Sequence, residues 1–390
     1  MRAPRATGAL AVLLALATAA CADGRPTDEN AVPQTSSSAA PPVTSGLTSP
    51  APPPPSAEPL TTADPPPLTL AFAGDVHFSG RLEPLLADAA DPSLVLSALA
   101  PQLSQADVTV VNLEAAITGR GVPEPKQFHF RVPVTALDAL AGAGVDVVSM
   151  ANNHGVDYGR QGLDDTLAAI ADSPVAVVGI GADAAQAFSP AVVEARGTSV
   201  AVLAATQVPD RTAAAWDAAD GAGVAVSRDP ARLVSAVEAS AAVADVVVVY
   251  LHWGTEGTGC PDVAQRSITP LLVDAGADVV VGGHAHQLQG MGWYTTEAGS
   301  SAYVSYGLGN FVWWRSNDEP SVTTGVLTLA LPPPAASGVD PGAVTGASWA
   351  PMRIADDGVP VLRTGSNAEA DLDGWDAVRD CTDLSATPPG

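Results

Sequence analysis

Short apolar runs rich in valine recur along the chain and alternate with helix-like segments, as in TLAFAG, DVTVV and ADVVVVYL. Strands that are buried on both faces of a sheet have continuous apolar runs of this kind. Regular alternation of strands and helices favours a largely parallel sheet. The later runs SAYVSYGL and TTGVLTLALP have no long helix between them and are expected to be antiparallel. The sequence therefore predicts an α/β fold with mixed sheets.

Five of these runs end in residues that can bind a metal ion, and they hold five of the six histidines of the chain. In open α/β sheets, ligands bind in the crevice at the carboxyl ends of the strands. Imidazole and carboxylate ligands suit Mn, Zn or Fe better than Ca. The residues at the five strand ends are Asp75 and His77; Asn112 and Glu114; Asn152, Asn153 and His154; His252; and His284 and His286.

This set contains enough ligands for two ions about 3.5–4 Å apart with positions left open for water and substrate. Glu114 offers a carboxylate that could bridge the two ions. His284 and His286 could bind one ion or two different ions. Taken alone, His77 or His252 would more commonly be a core histidine bonded to the backbone, so the metal interpretation depends on the ordered set.

The acidic composition of the chain limits the classes of partner that it is expected to bind. The formal net charge is −25, with 17 Lys and Arg residues against 42 Asp and Glu residues. Nucleic acids and anionic membrane surfaces are recognised by basic patches, so neither is expected as the main partner.

The first residues predict export. Residues 1–21 have a basic start, an apolar stretch too short to span a bilayer, and small residues before Cys21. This pattern resembles a bacterial lipobox and predicts an extracytoplasmic protein anchored to the membrane through lipid on Cys21; the alternative is plain secretion. Residues 22–66 are rich in Pro, Ser and Thr and predict a disordered linker. The two remaining cysteines, Cys260 and Cys381, are expected to form a disulfide.

The motif order resembles that of the calcineurin-like metallophosphoesterases. Their strand ends carry Gly-Asp-x-His, an acidic bridging ligand, Asn-His, a lone His and Gly-His-x-His. A closer resemblance is to the CapA family of poly-γ-glutamate capsule proteins, and it extends from Leu68 to Trp313. The segments that carry it are Gly74–His77, Asn112–Glu114, Ala151–His154 with Asp157–Gly159, His252–Glu256, Gly282–His286 and Tyr306–Phe311. The chain departs from metallophosphoesterases in having Glu114 where they have a bridging aspartate, and from many CapA proteins in having His77.

The resemblance implies a four-layer α/β/β/α sandwich in residues 67–335, with residues 336–390 as an extension packed on this domain. It also implies two divalent transition metal ions. One ion would take Asp75, His77, Glu114 and His286, and the other would take Glu114, Asn153, His252 and His284. A water between the ions would become a hydroxide nucleophile, and His154 would be the general acid, with Asp157 raising its pKa.

Two functions remain open. The first is a cell-envelope hydrolase that cuts a phosphoester or related bond in the metabolism of poly-γ-glutamate or a similar anionic polymer. The second is a non-catalytic lipoprotein that binds such a polymer for export or anchoring; membrane proteins of capsule synthesis are expected partners of either. Lys126, His129 and Arg131 could bind an anionic substrate or belong to a plain surface. Asn310 could orient a ligand or cap its turn.

Overall fold

Two β-sheets contain most of the strands, and each joins parallel strands to antiparallel ones. A computed structural model describes residues 66–87, 89–314, 319–333 and 338–389. The strands are β1 (Leu68–Val76), β2 (Val108–Leu113), β3 (Ala116–Ile117), β4 (Arg131–Val132), β5 (Val147–Ser149), β6 (Ala176–Val178), β7 (Ile180–Gly181), β8 (Ala191–Ala195), β9 (Thr198–Thr206), β10 (Gly223–Val224), β11 (Val246–His252), β12 (Val279–Gly283), β13 (Met291–Thr295), β14 (Ser301–Ser305), β15 (Asn310–Val312), β16 (Thr323–Leu331), β17 (Gly346–Ile354) and β18 (Pro360–Leu362).

Helices connect most of the parallel strands. They are α1 (Glu83–Ala87), α2 (Ala100–Leu103), α3 (Thr135–Gly142), α4 (Gly159–Ala171), α5 (Ala184–Ala187), α6 (Arg211–Ala215), α7 (Ala231–Ala241), α8 (Val263–Asp274), α9 (Glu319–Val322) and α10 (Ser366–Ala377). Helix α8 begins with a capping box, in which the side chains of Asp262 and Gln265 accept each other's backbone N–H. Gln265 also donates to the carbonyl of Tyr306 at 3.1 Å and thereby fixes the end of β14.

The sheet topology agrees with the predicted mixture of strand directions. The larger sheet has the order β18-β17-β16-β1-β2-β5-β6, and β15 pairs with the end of β1. The second sheet has the order β13-β14-β12-β11-β9-β8. Strand β16 is antiparallel to β1, as expected. Strand β14 is antiparallel to β13, also as expected, and its other edge pairs in parallel with β12. The parallel pairing arises because strand β13, rather than a helix, makes the connection from β12.

Alternating side chains of each strand enter different apolar clusters, as the period of two in a strand requires. Leu70 and Phe72 of β1 belong to a cluster that also contains Val202 of β9 and Val248 of β11, from the other sheet. Ala71 of β1 lies instead in a cluster with side chains of helix α3. A third cluster joins the second sheet to helices α7 and α8. Helices therefore pack against each sheet, and side chains of both sheets share one cluster.

The segment after residue 337 contributes to the larger sheet. Strand β17 pairs with β16 along Thr323–Ala330, and β18 pairs with β17. A disulfide joins Cys381, just after helix α10, to Cys260 in the loop that follows β11. The C-terminal part of the chain is therefore held both by backbone pairing and by a covalent bond near the end of β11.

Several sequence predictions concern residues outside the described part of the chain. These are the signal sequence of residues 1–21 with Cys21, and nearly all of the linker. Among the described residues, no helix combines the length and the apolar character that crossing a bilayer requires.

We predict that removing the disulfide destabilises the fold. The bond closes a loop of 121 residues, and losing a native disulfide costs about 2–5 kcal/mol in small secreted domains. Urea unfolding of Cys260→Ser/Cys381→Ser should give a free energy of unfolding lower by this amount than that of the oxidised wild type. A reducing agent should lower the wild type to the same value and leave the double variant unchanged. Equal stability of the oxidised wild type and the variant would contradict the prediction.

Candidate metal centre

The carboxyl ends of strands from both sheets meet at one place. Asp75 lies near the end of β1, Glu114 follows β2, and His252 ends β11. The two sheets are joined there by the backbone N–H of His284, which donates to Oδ2 of Asp75 at 2.8 Å. Nε2 of His252 lies 3.5 Å from Oε1 of Glu114. The crevice predicted from the strand ends therefore lies at the junction of the two sheets.

Two groups of side chains are close enough to hold a metal ion. Asp75, Glu114 and His252 form one group, and Glu114, His284 and His286 form the other, with ligand atoms within 4.8 Å of one another in each group. Glu114 belongs to both groups, which is the geometry of a bridging carboxylate. The expected partition placed Asp75 with His286 and His252 with His284; Nδ1 of His286 lies 3.5 Å from Oδ2 of Asp75, so this partition stays a prediction.

Asn153 lies beside the first group, and His77 lies in neither. Oδ1 of Asn153 is 2.8 Å from Nε2 of His252. Nδ1 of His77 accepts the N–H of Ser79 at 3.1 Å. The His77 ring stacks on Phe130, with ring centroids 4.4 Å apart. Of the predicted metal ligands, His77 alone has its ring engaged mainly with aromatic neighbours.

Buried polar atoms without hydrogen-bond partners show that these residues fit a bound cation. Within the described ranges, both carboxylate oxygens of Glu114, Nδ1 of His284 and Nε2 of His77 are buried and make no hydrogen bond. Leaving such atoms buried and unpaired costs free energy, most of all for a carboxylate. A divalent cation would satisfy the atoms of Glu114 and His284 together, and carboxylate with imidazole is a donor set that suits Mn, Zn or Fe.

The pKa values of the candidate ligands reflect how closely the buried carboxylates and imidazoles lie together. Burial raises the pKa of Glu114 well above its usual value, and the nearby charge of Asp75 raises it further. Burial lowers the pKa of His252 to about 4, despite the opposing charge of Asp75. For His286, burial is outweighed by Glu114 and Asp75, which raise its pKa to about 9. The carboxylates and imidazoles therefore compete for few protons in a space that excludes water.

Backbone conformation allows the second sheet to approach Asp75 closely. A Cβ on Gly283 would lie 2.2 Å from Oδ1 of Asp75, so only glycine fits there. The backbones of His284 and His286 have φ values of 86° and 55°, in the left-handed region that non-glycine residues rarely adopt. Such strain is retained where the surrounding structure enforces it, which is common at functional sites.

An asparagine network supports the ligands. Nδ2 of Asn112 lies 2.9 Å from Oδ1 of Asp75 and 3.2 Å from Nδ1 of His252. Asn152 donates to Oδ1 of Asn112 and accepts the N–H of His154, so it holds the turn. Asn310 accepts from Nδ1 of His286 at 2.9 Å and donates to the carbonyl of Ser321.

His154 sits at the rim with its ring fixed from two sides. Its Nδ1 lies 2.7 Å from Oδ2 of Asp157, and its Nε2 lies 3.8 Å from Oε1 of Glu114. The ring stacks on the second face of Phe130, with centroids 4.2 Å apart. Burial, followed by the charge of Lys126, lowers the pKa of His154 well below its usual value. Burial therefore outweighs any rise in this pKa that Asp157 was expected to cause.

The candidate substrate residues have different surroundings. Nζ of Lys126 lies 2.5 Å from Oδ1 of Asp157. Nε2 of His129 lies 2.5 Å from the carbonyl of Glu124. The guanidinium of Arg131 lies 5.0 Å from the ring centroid of Tyr158. A cavity of about 400 Å³ is lined by Ser79, Gly80, Glu83, Gln127, Phe128, His129, Phe130, Arg131, Tyr158 and Trp314.

Sequence reasoning missed the aromatic residues around the site. Phe130 separates His77 from His154, and Trp313 packs against both His77 and His286, with ring centroids at 4.0 and 4.6 Å. The HFRVP segment gave no periodic signal for Phe130. The position of Trp313, directly after the Asn310 motif, was the one available hint.

Fold and site together define a mixed α/β protein with a buried, histidine-rich candidate metal centre. The chain belongs to the family of bacterial capsule synthesis proteins PGA_cap, which matches residues 69–314. The resemblance to CapA proteins is thereby confirmed.

Curated relatives carry capsule names. The chain is 30% identical over 264 residues to the PGA biosynthesis protein CapA of Bacillus subtilis, covering 65% of this chain and 67% of that protein. It is 29% identical over 267 residues to the capsule biosynthesis protein CapA of Bacillus anthracis, covering 65% and 63%. A probable polyglutamine synthesis accessory protein of Mycobacterium tuberculosis is 34% identical over 218 residues, covering 53% and 55%. The chain thus matches between about half and two thirds of the length of these relatives.

Solved structures are more distant. A hypothetical protein of Thermus thermophilus has a TM-score of 0.44 at 17% identity, covering 73% of this chain and 99% of that one. The NAD nucleotidase of Haemophilus influenzae has a TM-score of 0.44 at 14% identity, covering 83% and 58%. Similarity at this level has no bearing on activity.

We predict that Glu114→Gln abolishes stabilisation by metal without destabilising the metal-free protein. The amide removes a buried charge that has no hydrogen bond, but it also removes the shared anionic ligand. Excess Mn or Zn at about 100 times its Kd should stabilise the wild type by about 2.7 kcal/mol and raise its Tm. Glu194→Gln, on the exposed surface of β8, is the matched control and should respond like the wild type. An undiminished rise in Tm for Glu114→Gln would contradict the prediction.

Proposed function

We propose that this protein is a metal-dependent hydrolase of the cell envelope that cuts a phosphoester or related bond in the metabolism of an anionic capsule polymer. The observation that carries the proposal is the buried carboxylate of Glu114, which makes no hydrogen bond and is shared by two groups of ligands. A purely structural site would leave that carboxylate paired or replace it with an apolar side chain.

The polymer context comes from the relatives. The names of the Bacillus proteins refer to capsule or PGA biosynthesis, and the name of the mycobacterial one refers to polyglutamine synthesis. We extend this context to the present chain as a proposal, with poly-γ-glutamate or a related polymer as the class of substrate.

Each side chain has a separate role in the proposed reaction. Asp75, Glu114, His252, His284 and His286 would hold two divalent ions, with Asn153 and His77 as further candidate ligands. Such ions lower the pKa of a water molecule and neutralise negative charge on the group being transferred. Asn112 and Asn310 orient their partners and leave the open side of the centre to the substrate.

His154 is proposed to give a proton to the leaving oxygen from Nε2. Asp157 holds the opposite nitrogen, so Nε2 faces Glu114 and the centre. In the absence of substrate, burial keeps the pKa of His154 low. A bound anionic phosphoester would favour the protonated imidazole, because an opposite charge at short range raises a histidine pKa.

We predict that the protein with added Mn or Zn hydrolyses an aryl phosphate and that a chelator abolishes the activity. His154→Ala should lower kcat roughly 10²–10⁴-fold, the usual effect of losing a general acid, while metal content stays unchanged. Arg160→Ala removes an exposed side chain on helix α4 and should behave like the wild type.

Two results would contradict this assignment. One is a metal-loaded wild type without turnover on any phosphoester tested, and the other is a His154→Ala variant with full kcat. Metal-dependent retention of poly-γ-glutamate without turnover would favour the alternative, an accessory lipoprotein that binds the polymer for export or anchoring.

We further propose that the protein works outside the cytoplasm and is anchored by lipid on Cys21. The expected result for the wild type in a bacterial host is recovery with the membrane fraction and a lipid-sized mass increase on the N-terminal peptide. Cys21→Ser should lose both properties. Identical fractionation of the two proteins would rule out the anchor.

A further inference from the structure

Lys126 is the only lysine in the chain, although the sequence has 17 Lys and Arg residues in all. It lies on the loop between strands β3 and β4, and its side chain is 14% exposed. Every other basic side chain of this type is an arginine. A single ammonium group, placed beside the candidate metal centre, therefore requires an explanation of its own.

Two oxygen atoms of the protein contact the ammonium group of Lys126. Nζ lies 2.5 Å from Oδ1 of Asp157 and 2.5 Å from the backbone carbonyl of Asn153. The first is the carboxylate that holds His154, and the second belongs to a candidate metal ligand. The contact with the Asn153 carbonyl is a hydrogen bond, and the contact with Asp157 is an ion pair. Lys126 thus contacts both functional parts of the same turn.

Three groups lie close to the carboxylate of Asp157. Oδ2 accepts the backbone N–H of Phe130 at 2.7 Å and faces Nδ1 of His154 at the same distance. The loop is also held at the backbone, where the N–H of Glu124 donates to the carbonyl of Asp157 at 2.9 Å. Lys126 supplies the remaining contact, on Oδ1. The loop and the turn therefore fix each other around one carboxylate.

We propose that Lys126 is a positioning residue, which holds Asp157 as the acceptor for Nδ1 of His154 and holds the backbone of Asn153 at the centre. The ring then keeps its proton on Nδ1 toward Asp157 and presents Nε2 to the substrate. This role deepens the proposed function and rests on it, because it assigns Lys126 to the orientation of the same histidine. It differs from binding an anionic substrate directly.

Lysine suits this place better than arginine. A compact ammonium group at the end of a flexible stem can reach two acceptors that are not coplanar, whereas the planar guanidinium favours forked contacts with a single carboxylate. A buried charge is tolerated when it is paired and hydrogen-bonded, and Asp157 and the Asn153 carbonyl meet that condition.

The test compares metal-loaded Lys126→Met with Arg120→Met, which removes an exposed cation from the same loop. Lys126→Met should lower kcat about 10–100-fold, the usual cost of losing a residue that orients a ligand, with KM changed less than about twofold. A raised KM with unchanged kcat would overturn the proposal, because it would show that Lys126 binds substrate. Arg120→Met should retain both constants.

A second measurement does not depend on turnover. Imidazole ¹⁵N shifts of metal-loaded protein, with the His154 signals assigned by their absence in His154→Ala, report which ring nitrogen carries the proton. The wild type should show a single form protonated on Nδ1, and Lys126→Met should show averaging between both nitrogens. Unchanged His154 signals in Lys126→Met would overturn the proposal even if the protein proves inactive on phosphoesters. Inactivity with shifted signals would instead contradict the proposed function alone.

If Lys126→Met fails to fold, chemical modification of Lys126 in the folded wild type tests the same proposal. Reductive methylation of folded wild type changes one side chain only, since the chain has one lysine. Dimethylation keeps the positive charge but leaves a single N–H, so at least one of the two contacts must break. Altered His154 shifts in the dimethylated protein would support the proposal, and unaltered shifts would overturn it.

Discussion

The buried carboxylate of Glu114 is the constraint on which the rest of the site depends. Both of its oxygens are buried without hydrogen bonds, although the side chain lies among histidines of the second sheet. Such a group is costly unless a cation neutralises it. The contacts around it, from the Asn112 network to the strained backbones of His284 and His286, maintain a cluster of charges that would otherwise separate.

Most of the fold and the place of the site could be predicted from the sequence. The apolar runs that became β1, β2, β5, β11 and β12 are continuous, and the position of each ligand is read directly from where its run ends. This works because the carboxyl ends of parallel strands meet at one edge of a sheet, whatever the details of packing. The parallel pairing of β14 with β12 could not be read in this way, since a strand and not a helix precedes β14.

The arrangement of the ligands within the site could be predicted less completely than the fold. The pairing of histidines with carboxylates depends on side-chain rotation and on how the two sheets meet. Neither of these can be read from the local sequence. His77 shows the difficulty: its spacing from Asp75 suits chelation, yet its ring stacks on Phe130, which lies 53 positions further along the chain. The contacts of Lys126 likewise join a loop to a turn that no periodic pattern connects.

Close backbone contacts at three glycines give the centre its rigidity. A Cβ on Gly74 would lie 1.9 Å from the carbonyl oxygen of Gly309, one on Gly283 would meet Asp75, and one on Gly282 would meet Trp253. The backbone of Gly283 thus packs directly against the Asp75 carboxylate, and the residue before Asp75 packs directly against the backbone of Gly309. The position of this carboxylate is then set by the polypeptide backbone. Ions of different radius can be accommodated only by tilting imidazoles, so discrimination among metals would arise from size and coordination angle more than from the identity of the donor atoms.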